Sequence, residues 1–104
     1  MEEKREKYLP IGTVAMLEGG TKRVMITGFA ALNGEDKTKI FDYSGCIYPE
    51  GFISPNKTCL FDHSQIKEIY HLGLAEDEEE KSFKRKLAAA VVLAEESLKN
   101  SNNK

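Results

Sequence analysis

Two cysteines and two histidines are the residues of this chain best suited to metal binding or nucleophilic chemistry. Cys46, Cys59 and His63 lie in the stretch DYSGCIYPEGFISPNKTCLFDH, residues 42–63, and His71 follows it. Their spacing is Cys-x12-Cys-x3-His-x7-His, whereas structural zinc sites usually contain close pairs of the CxxC type. The pattern therefore favours small buried thiols, and we predict neither a metal site nor a cofactor.

Cys59 also stands four residues before His63, a spacing that a thiol nucleophile and its base could have. A reactive thiol needs its thiolate stabilised by a positive charge or a helix N-terminus. The neighbouring carboxylate of Asp62 would instead disfavour the thiolate, and no glycine-rich oxyanion loop is evident. We therefore predict that the protein is not an enzyme, and a thiol- or metal-dependent enzyme is the alternative of another class.

The charged residues give no sign of acid–base catalysis or phosphate binding. Five consecutive acids at residues 76–80 are typical of the solvated start of a helix, not of a cleft. Asp42 lies on a predicted strand among aromatic residues, where an acid usually faces outward or hydrogen-bonds a neighbouring turn. The loop EGGTKR, residues 18–23, joins two strands and so lacks the helix N-terminus on which phosphate loops depend.

Length and charge limit the remaining classes. The 104 residues are enough for one domain with a modest core. Lys and Arg number 15 against 17 Asp and Glu, which leaves a formal charge of −2. This balance argues against nucleic-acid binding, because such proteins need a basic face to replace counterions.

The sequence contains no apolar run near the roughly 18 residues of a membrane span. Its start, MEEKREK, is charged and lacks the apolar region of a secretory signal. We therefore predict a flexible tail at residues 1–7, a cytoplasmic location, reduced thiols and no membrane insertion.

The elements that position these residues begin with a β-hairpin. In TVAMLEGGTKRVMITGFAAL, residues 13–32, two runs rich in β-branched and apolar residues are separated by the turn EGGTK. Alternation places Val24 and Ile26 on one face of the second strand and Phe29 on the other. Gly28, in the middle of that strand, predicts a bulge or sharp bend.

Further strands follow a second turn, NGEDKTK, at residues 33–39. A helical turn with a capping-box pattern, Asp62 to Gln65, precedes the last of them. Three runs predict these strands: IFDYSGCIY (40–48), TCLF (58–61) and the segment from Ile69 to Leu72. Strands joined by short turns, with one helical turn before the fifth, are the wiring of small SH3-like barrels.

The clearest helix is predicted from residue 76 to residue 99, with acids first and bases after them. Asp77–Lys81 and Glu80–Lys84 are spaced for ion pairs one turn apart. Six apolar residues recur at helical spacing and predict one stripe: Phe83, Leu87, Ala90, Val91, Ala94 and Leu98.

The predicted fold class is therefore α+β in a single domain at residues 8–99. A small, strongly bent antiparallel sheet, or SH3-like half-barrel, of about five strands occupies residues 8–74. The long C-terminal helix packs on it, and residues 100–104 fray.

Two surfaces are candidates for binding another protein. The turn after the third strand brings Tyr48, Glu50 and Phe52 together, with two aromatic rings in a position to be exposed. The helix has a centre, AAAVVLA, that is apolar nearly all round, which exceeds what packing on one sheet needs. We therefore predict partner binding through that turn and through Phe83, Leu87 and Val91, with a homo-oligomer through the helix as one form of it.

Three stretches resemble a small bacterial domain-of-unknown-function family. They are LPIGTVAMLEGGTKRVMITGF (9–29), FDYSGCIYPEGF (41–52) and LFDHSQIKEIYHLG (60–73), and the similarity runs from about Leu9 to Leu74. Its most specific part is the GCxYPEG motif at residues 45–51. The N-terminal tail and the C-terminal helix carry no motif of that family, and the segment AALNGEDKTK resembles an insertion.

The resemblance implies a place in type VII secretion, because members of that family tend to be encoded in Gram-positive bacteria beside these systems and their LXG-class toxins. It implies a small cytoplasmic accessory protein, either a chaperone or a targeting factor that binds a toxin or a secretion component. An immunity protein that neutralises a cognate toxin is the alternative within the same setting. The resemblance implies no catalytic residue.

Overall fold

A five-stranded antiparallel sheet and one long helix make up the protein. The computed structural model describes residues 7–32 and 39–102. The elements in chain order are β1 (Val14–Leu17), β2 (Arg23–Leu32), β3 (Ile40–Tyr48), β4 (Cys59–Phe61), β5 (Ile66–His71) and α1 (Glu78–Asn102). Short 3₁₀ turns at Pro55–Lys57 and His63–Gln65 stand on either side of β4. The predicted α+β class is confirmed.

Three parts of the chain lie outside the described residues: 1–6, 33–38 and 103–104. They contain most of the predicted N-terminal tail, the Asn-Gly turn between β2 and β3, and the last two residues of the predicted frayed end. Those three predictions are therefore untested there.

The strand order in the sheet is β4-β3-β2-β1-β5, and every neighbouring pair is antiparallel. The two chain-distant strands β1 and β5 meet because the 3₁₀ turn at His63–Gln65 reverses the chain directly before β5. The Glu18 N–H donates to the Gln65 carbonyl at 2.8 Å, which ties this turn to the β1–β2 hairpin. The predicted helical turn before the fifth strand is confirmed.

A bulge bends β2 where the sequence predicted one. Ile26 pairs with Gly45, but the next pair is Gly28 with Ser44, so Thr27 is the additional residue. The extra residue reverses the alternation beyond it. Phe29 was predicted to lie on the face of the sheet that Ile26 does not occupy. It is instead on the same face as Ile26 and packs against the core, so that part of the prediction was wrong.

The core is built around three fully buried side chains, Ile26, Tyr43 and Phe61. Leu9 and Val24 complete the buried cluster. Aromatic rings continue it toward the helix: the Tyr43 centroid lies 5.4 Å from Phe61 and 6.1 Å from Phe29. The Phe29 centroid in turn lies 5.9 Å from Phe83 of α1, so the aromatic residues connect the sheet with the helix.

Helix α1 begins at Glu78 because Asp77 caps it. The Asp77 Oδ2 accepts the Glu80 N–H at 3.0 Å. This role replaces the predicted Asp77–Lys81 ion pair, and Lys81 contacts Glu76 instead, at 3.4 Å. The Glu80–Lys84 pair forms at 3.5 Å. The helix ends at Asn102, beyond the predicted end at residue 99.

The helix packs on the rest of the chain through a narrow strip. Among its described side chains Val91 alone is buried, and Leu87 and Leu98 are half-buried. The other members of the predicted stripe are exposed: Phe83, Ala90 and Ala94. No helix within residues 7–32 and 39–102 is both long and apolar enough to cross a membrane.

Candidate functional site

The residues predicted to bind a partner lie on two separate surfaces. Tyr48 pairs with Arg23 at the start of β2, whereas Phe83 contacts Phe29, six residues further along the same strand. At about 3.3 Å per residue these points are roughly 20 Å apart. The turn and the helix therefore form two contact regions and not one continuous site.

The turn region is the PEG segment that ends β3. The Tyr48–Pro49 peptide bond is cis and Gly51 has a φ of +83°, a conformation that favours glycine. The Gly51 N–H donates to the Ile47 carbonyl at 2.8 Å. The sequence-based view of GCxYPEG as a segment that turns and terminates a strand is confirmed.

The side chains of this turn are held outward. The Glu50 carboxylate pairs with the Lys22 ammonium at 2.7 Å across to the β1–β2 hairpin, and this hydrogen bond lowers the pKa of Glu50. Phe52 is 67% exposed and Ile53 57%. Phe52 is therefore exposed, as predicted, close in the sequence to the Glu50–Lys22 ion pair.

The helix region contains an apolar groove between α1, the bulge of β2 and the segment leading into α1. The groove has a volume of about 570 Å³. Its apolar lining consists of Ile11, Phe29, Leu74, Phe83 and Leu87. Three of these side chains are half or more exposed, at 51% for Ile11, 71% for Leu74 and 50% for Phe83. We call this surface the helix groove.

Acidic side chains line one part of the helix groove. Asp77 and Glu80 belong to its lining. The Glu80 Oε2 contacts Lys84 at 3.5 Å, while its Oε1 is buried without a hydrogen-bond partner within the described residues. The groove therefore combines an apolar floor with local negative charge.

Val91 lies about two turns further along the helix than Phe83 and does not line the helix groove. It is only 7% exposed and lines a hollow of about 720 Å³ that the helix shares with Lys7 and Tyr8 of the N-terminal segment. Packing within the chain accounts for this residue. Of the three helix residues predicted for partner binding, Phe83 and Leu87 line the helix groove.

A hydrogen-bond network that the sequence did not reveal joins β3 to the 3₁₀ turn before β5. The Tyr43 hydroxyl lies 2.7 Å from His63 Nδ1 and accepts the Leu9 N–H at 3.0 Å. Burial raises the pKa of Tyr43 to about 12. His63 is part of this network.

Two carboxylates complete the network. Asp42 Oδ2 accepts the His63 N–H at 2.9 Å, and Asp62 Oδ1 accepts the Asp42 N–H at 3.1 Å. Lys7 pairs with Asp42 at 3.2 Å and Lys39 with Asp62 at 2.8 Å. Of the two roles expected for Asp42, an outward-facing acid or a hydrogen bond to a neighbouring turn, the structure shows the hydrogen bond. Each group of the network has a partner that explains it structurally.

The thiols lie on adjacent strands without forming a reactive centre. Register pairs Cys59 with Gly45, so Cys46 projects to the opposite face of the sheet. Burial raises the pKa of Cys59, and Cys46 adds to the rise, which disfavours the nucleophilic thiolate. No group of three or more His, Cys, Asp or Glu side chains in the described part of the chain is arranged to hold a metal ion.

Comparison with known proteins gives one match. The family model described as a domain of unknown function (DUF4176) covers residues 8–83 of the chain. No curated protein and no solved structure matches the chain significantly.

Proposed function

Since the chain belongs to the DUF4176 family of domains of unknown function through residues 8–83, we propose that it is a non-enzymatic protein-interaction module of that family. More specifically, we propose that it acts in the cytoplasm as an accessory protein, a chaperone or targeting factor, for a type VII secretion toxin. The toxin would bind in the helix groove.

The exposed apolar lining of the helix groove carries this proposal. Leu74 and Phe83 are 71% and 50% exposed and stand beside the half-buried Leu87. Contiguous exposed apolar surface of this kind marks sites of protein–protein contact. A groove along one helix suits the apolar face of a partner helix, which inserts side chains spaced one turn apart.

The type VII assignment rests on the resemblance of LPIGTV and GCxYPEG to proteins encoded beside LXG-class toxins. Residues 45–51 end β3 in a turn, and none of them lines the helix groove. The groove therefore supports the binding role, and the motif supports the biological setting.

The decisive experiment is co-purification with the toxin encoded in the same locus. Leu74→Glu places a charge in the groove, while Leu93→Glu places one on an equally exposed leucine outside it, since Leu93 is 68% exposed. We expect the wild-type protein and Leu93→Glu to co-purify with the toxin and Leu74→Glu to lose it. Failure of the wild-type protein to bind, or equal binding by both variants, contradicts the proposal.

Two further readouts separate the alternatives. An immunity protein would protect cells that express the active toxin, whereas a chaperone or targeting factor would support toxin stability or export without such protection. An enzyme dependent on thiols would lose its effect in the Cys46→Ser, Cys59→Ser double variant. We expect that variant to bind the toxin as the wild-type protein does.

A further inference from the structure

An arginine held between two tyrosine rings lies on the face of the sheet opposite the core. The Arg23 guanidinium carbon is 5.0 Å from the Tyr48 ring centroid and 5.3 Å from the Tyr70 ring centroid. Arg23 pairs with Tyr48 of β3, and both Arg23 and Glu68 of β5 pair with Met16 of β1. Strands β2, β3 and β5 thus supply Arg23, Tyr48 and Tyr70, and β1 lies between β2 and β5.

The edges of this guanidinium are available for hydrogen bonding. Within residues 7–32 and 39–102, Arg23 makes no side-chain hydrogen bond and no ion pair beyond its ring contacts. The adjacent cation, Lys22, is already paired with Glu50 at 2.7 Å. Contacts with aromatic rings use none of the N–H donors in the plane of a guanidinium, so these donors are open to water or to another molecule.

A carboxylate is the group that best fits these donors. The planar fork of arginine binds a carboxylate through two parallel hydrogen bonds, and such charged bonds are stronger than neutral ones. The two rings restrict the side chain before binding, which reduces the entropy that a partner would otherwise cost. Arginine and tyrosine are also the residue types most often found at the centre of protein interfaces.

The surroundings favour one carboxylate in an otherwise neutral segment. Glu50 is bonded to the adjacent Lys22, Glu68 lies across β1 from Arg23, and the chain has a formal charge of −2. These negative charges would repel a polyanion such as nucleic acid. Tyr48 and Tyr70 are 37% and 50% exposed and offer apolar surface on both sides of the cation. Side chains flanking the carboxylate would pack on these rings.

We propose that Arg23, Tyr48 and Tyr70 form a clamp for an Asp or Glu side chain with apolar neighbours in a segment of a partner protein. The clamp is on the face of the sheet opposite Val24 and Ile26 and away from the helix groove. It is therefore a second binding site, and the proposal does not depend on a toxin binding in the helix groove.

The probe for the test is the peptide acetyl-AFEFA-amide, with AFQFA as its neutral analogue. Binding is followed by NMR through the Arg23 Nε–Hε signal and the backbone amides of β2, β3 and β5. We expect saturable shifts centred on Arg23, with binding of the neutral peptide about tenfold weaker. Equal binding of the two peptides, or no saturable shift with AFEFA, overturns the proposal.

Variants distinguish the clamp from general charge attraction. Arg23→Gln and Lys22→Gln change the net charge equally, but only Arg23→Gln is expected to abolish binding. Tyr70→Leu removes one ring without changing the charge and is expected to weaken binding. An equal loss in Lys22→Gln contradicts the clamp, as does tighter binding of a peptide with phosphoserine in place of the glutamate. Retained amide dispersion in each variant confirms that it is folded.

Discussion

The Tyr43 hydroxyl on β3 lies 2.7 Å from Nδ1 of His63, in the 3₁₀ turn that leads into β5. The same hydroxyl accepts the backbone N–H of Leu9 at 3.0 Å. Because the hydroxyl oxygen accepts the hydrogen bond from the Leu9 N–H, the hydroxyl's own hydrogen can be donated to the imidazole nitrogen. One buried group thus connects the N-terminal segment, the centre of the sheet and the turn before the last strand.

Tyr43→Phe is expected to reduce the free energy of unfolding by about 1–3 kcal/mol, because it leaves the buried Leu9 N–H without an acceptor. The measurement is urea denaturation at neutral pH. Tyr70→Phe is the matched control. Tyr70 is 50% exposed, so water can hydrogen-bond any polar group that loses the Tyr70 hydroxyl as a partner. A loss in Tyr43→Phe no larger than in the control would show that the hydroxyl contributes nothing to stability.

Alkaline pH should destabilise the fold through the same hydroxyl. Burial raises the pKa of Tyr43 from 10.0 to about 12. Between these values the unfolded chain ionises while the folded protein keeps its proton, so stability falls as the pH rises. The full difference corresponds to about 2–3 kcal/mol.

Two measurements check this pH dependence. Tyrosinate absorbance of the folded protein should show a tyrosine with a pKa of about 12 that is absent from Tyr43→Phe. The fall in unfolding free energy above about pH 10 should be smaller in Tyr43→Phe than in the wild-type protein. Identical alkaline profiles for the two proteins would contradict the assignment.

Asp62 should contribute stability that is lost in acid. Burial alone would raise the pKa of Asp62, but the Lys39 ammonium and the Asp42 N–H outweigh it and hold the pKa below its usual value. The contribution is therefore present above about pH 4 and disappears as the pH falls through the folded-state pKa. Asp62→Asn should lower the unfolding free energy by about 1 kcal/mol at neutral pH.

Acid denaturation of this variant provides the check. The stability difference between wild-type protein and Asp62→Asn should close as the pH falls, because the wild-type carboxyl is then protonated too. Glu68→Gln serves as control, since Glu68 is exposed and makes no ion pair within the described residues. A difference that stays constant with pH would mean that the charge of Asp62 is not the cause.

Local sequence patterns were sufficient for the elements but not for the contacts between them. The Gly-Gly turn of the hairpin and the strand at residues 40–48 depend on near neighbours in the sequence, and both were predicted correctly. Phe29 was placed on the wrong face because the bulge adds one residue to β2. The sequence assigned Tyr48 and Phe83 to two different surfaces, the turn after β3 and the helix, and the structure also keeps them apart.

The groups missed by the sequence are those whose partners are distant along the chain. Tyr43 and His63 are 20 residues apart, and Arg23 meets Tyr70 only because β5 pairs with β1. Strand register decides such contacts, and register follows from the whole sheet. The one local signal was Asp42, an acid in an apolar strand, for which a hydrogen bond to a neighbouring turn was one of two expected roles.

Two strand glycines should differ in their tolerance of a methyl group. A Cβ at Gly45 would lie 2.5 Å from the Met25 backbone oxygen, whereas at Gly28 it would lie 2.7 Å from the Ser44 hydroxyl. A hydroxyl can rotate away but a paired backbone cannot, so Gly45→Ala should cost about 1–3 kcal/mol and Gly28→Ala less. Adding Ser44→Ala should rescue only Gly28→Ala; rescue of both would contradict this explanation.

Val91 should contribute more to the packing of the helix on the rest of the chain than an exposed leucine of the same helix does. Val91 is 7% exposed and Leu93 is 68% exposed, although only one residue separates them in the sequence. Val91→Ala removes buried methyl groups and should lower the unfolding free energy by about 1–2 kcal/mol. Leu93→Ala removes a larger apolar group from solvent and should change it by less than about 0.5 kcal/mol. Thermal or urea unfolding of the two variants measures the difference. If Leu93→Ala were as destabilising as Val91→Ala at low protein concentration and more so at high concentration, the exposed side of the helix would be buried between copies of the chain.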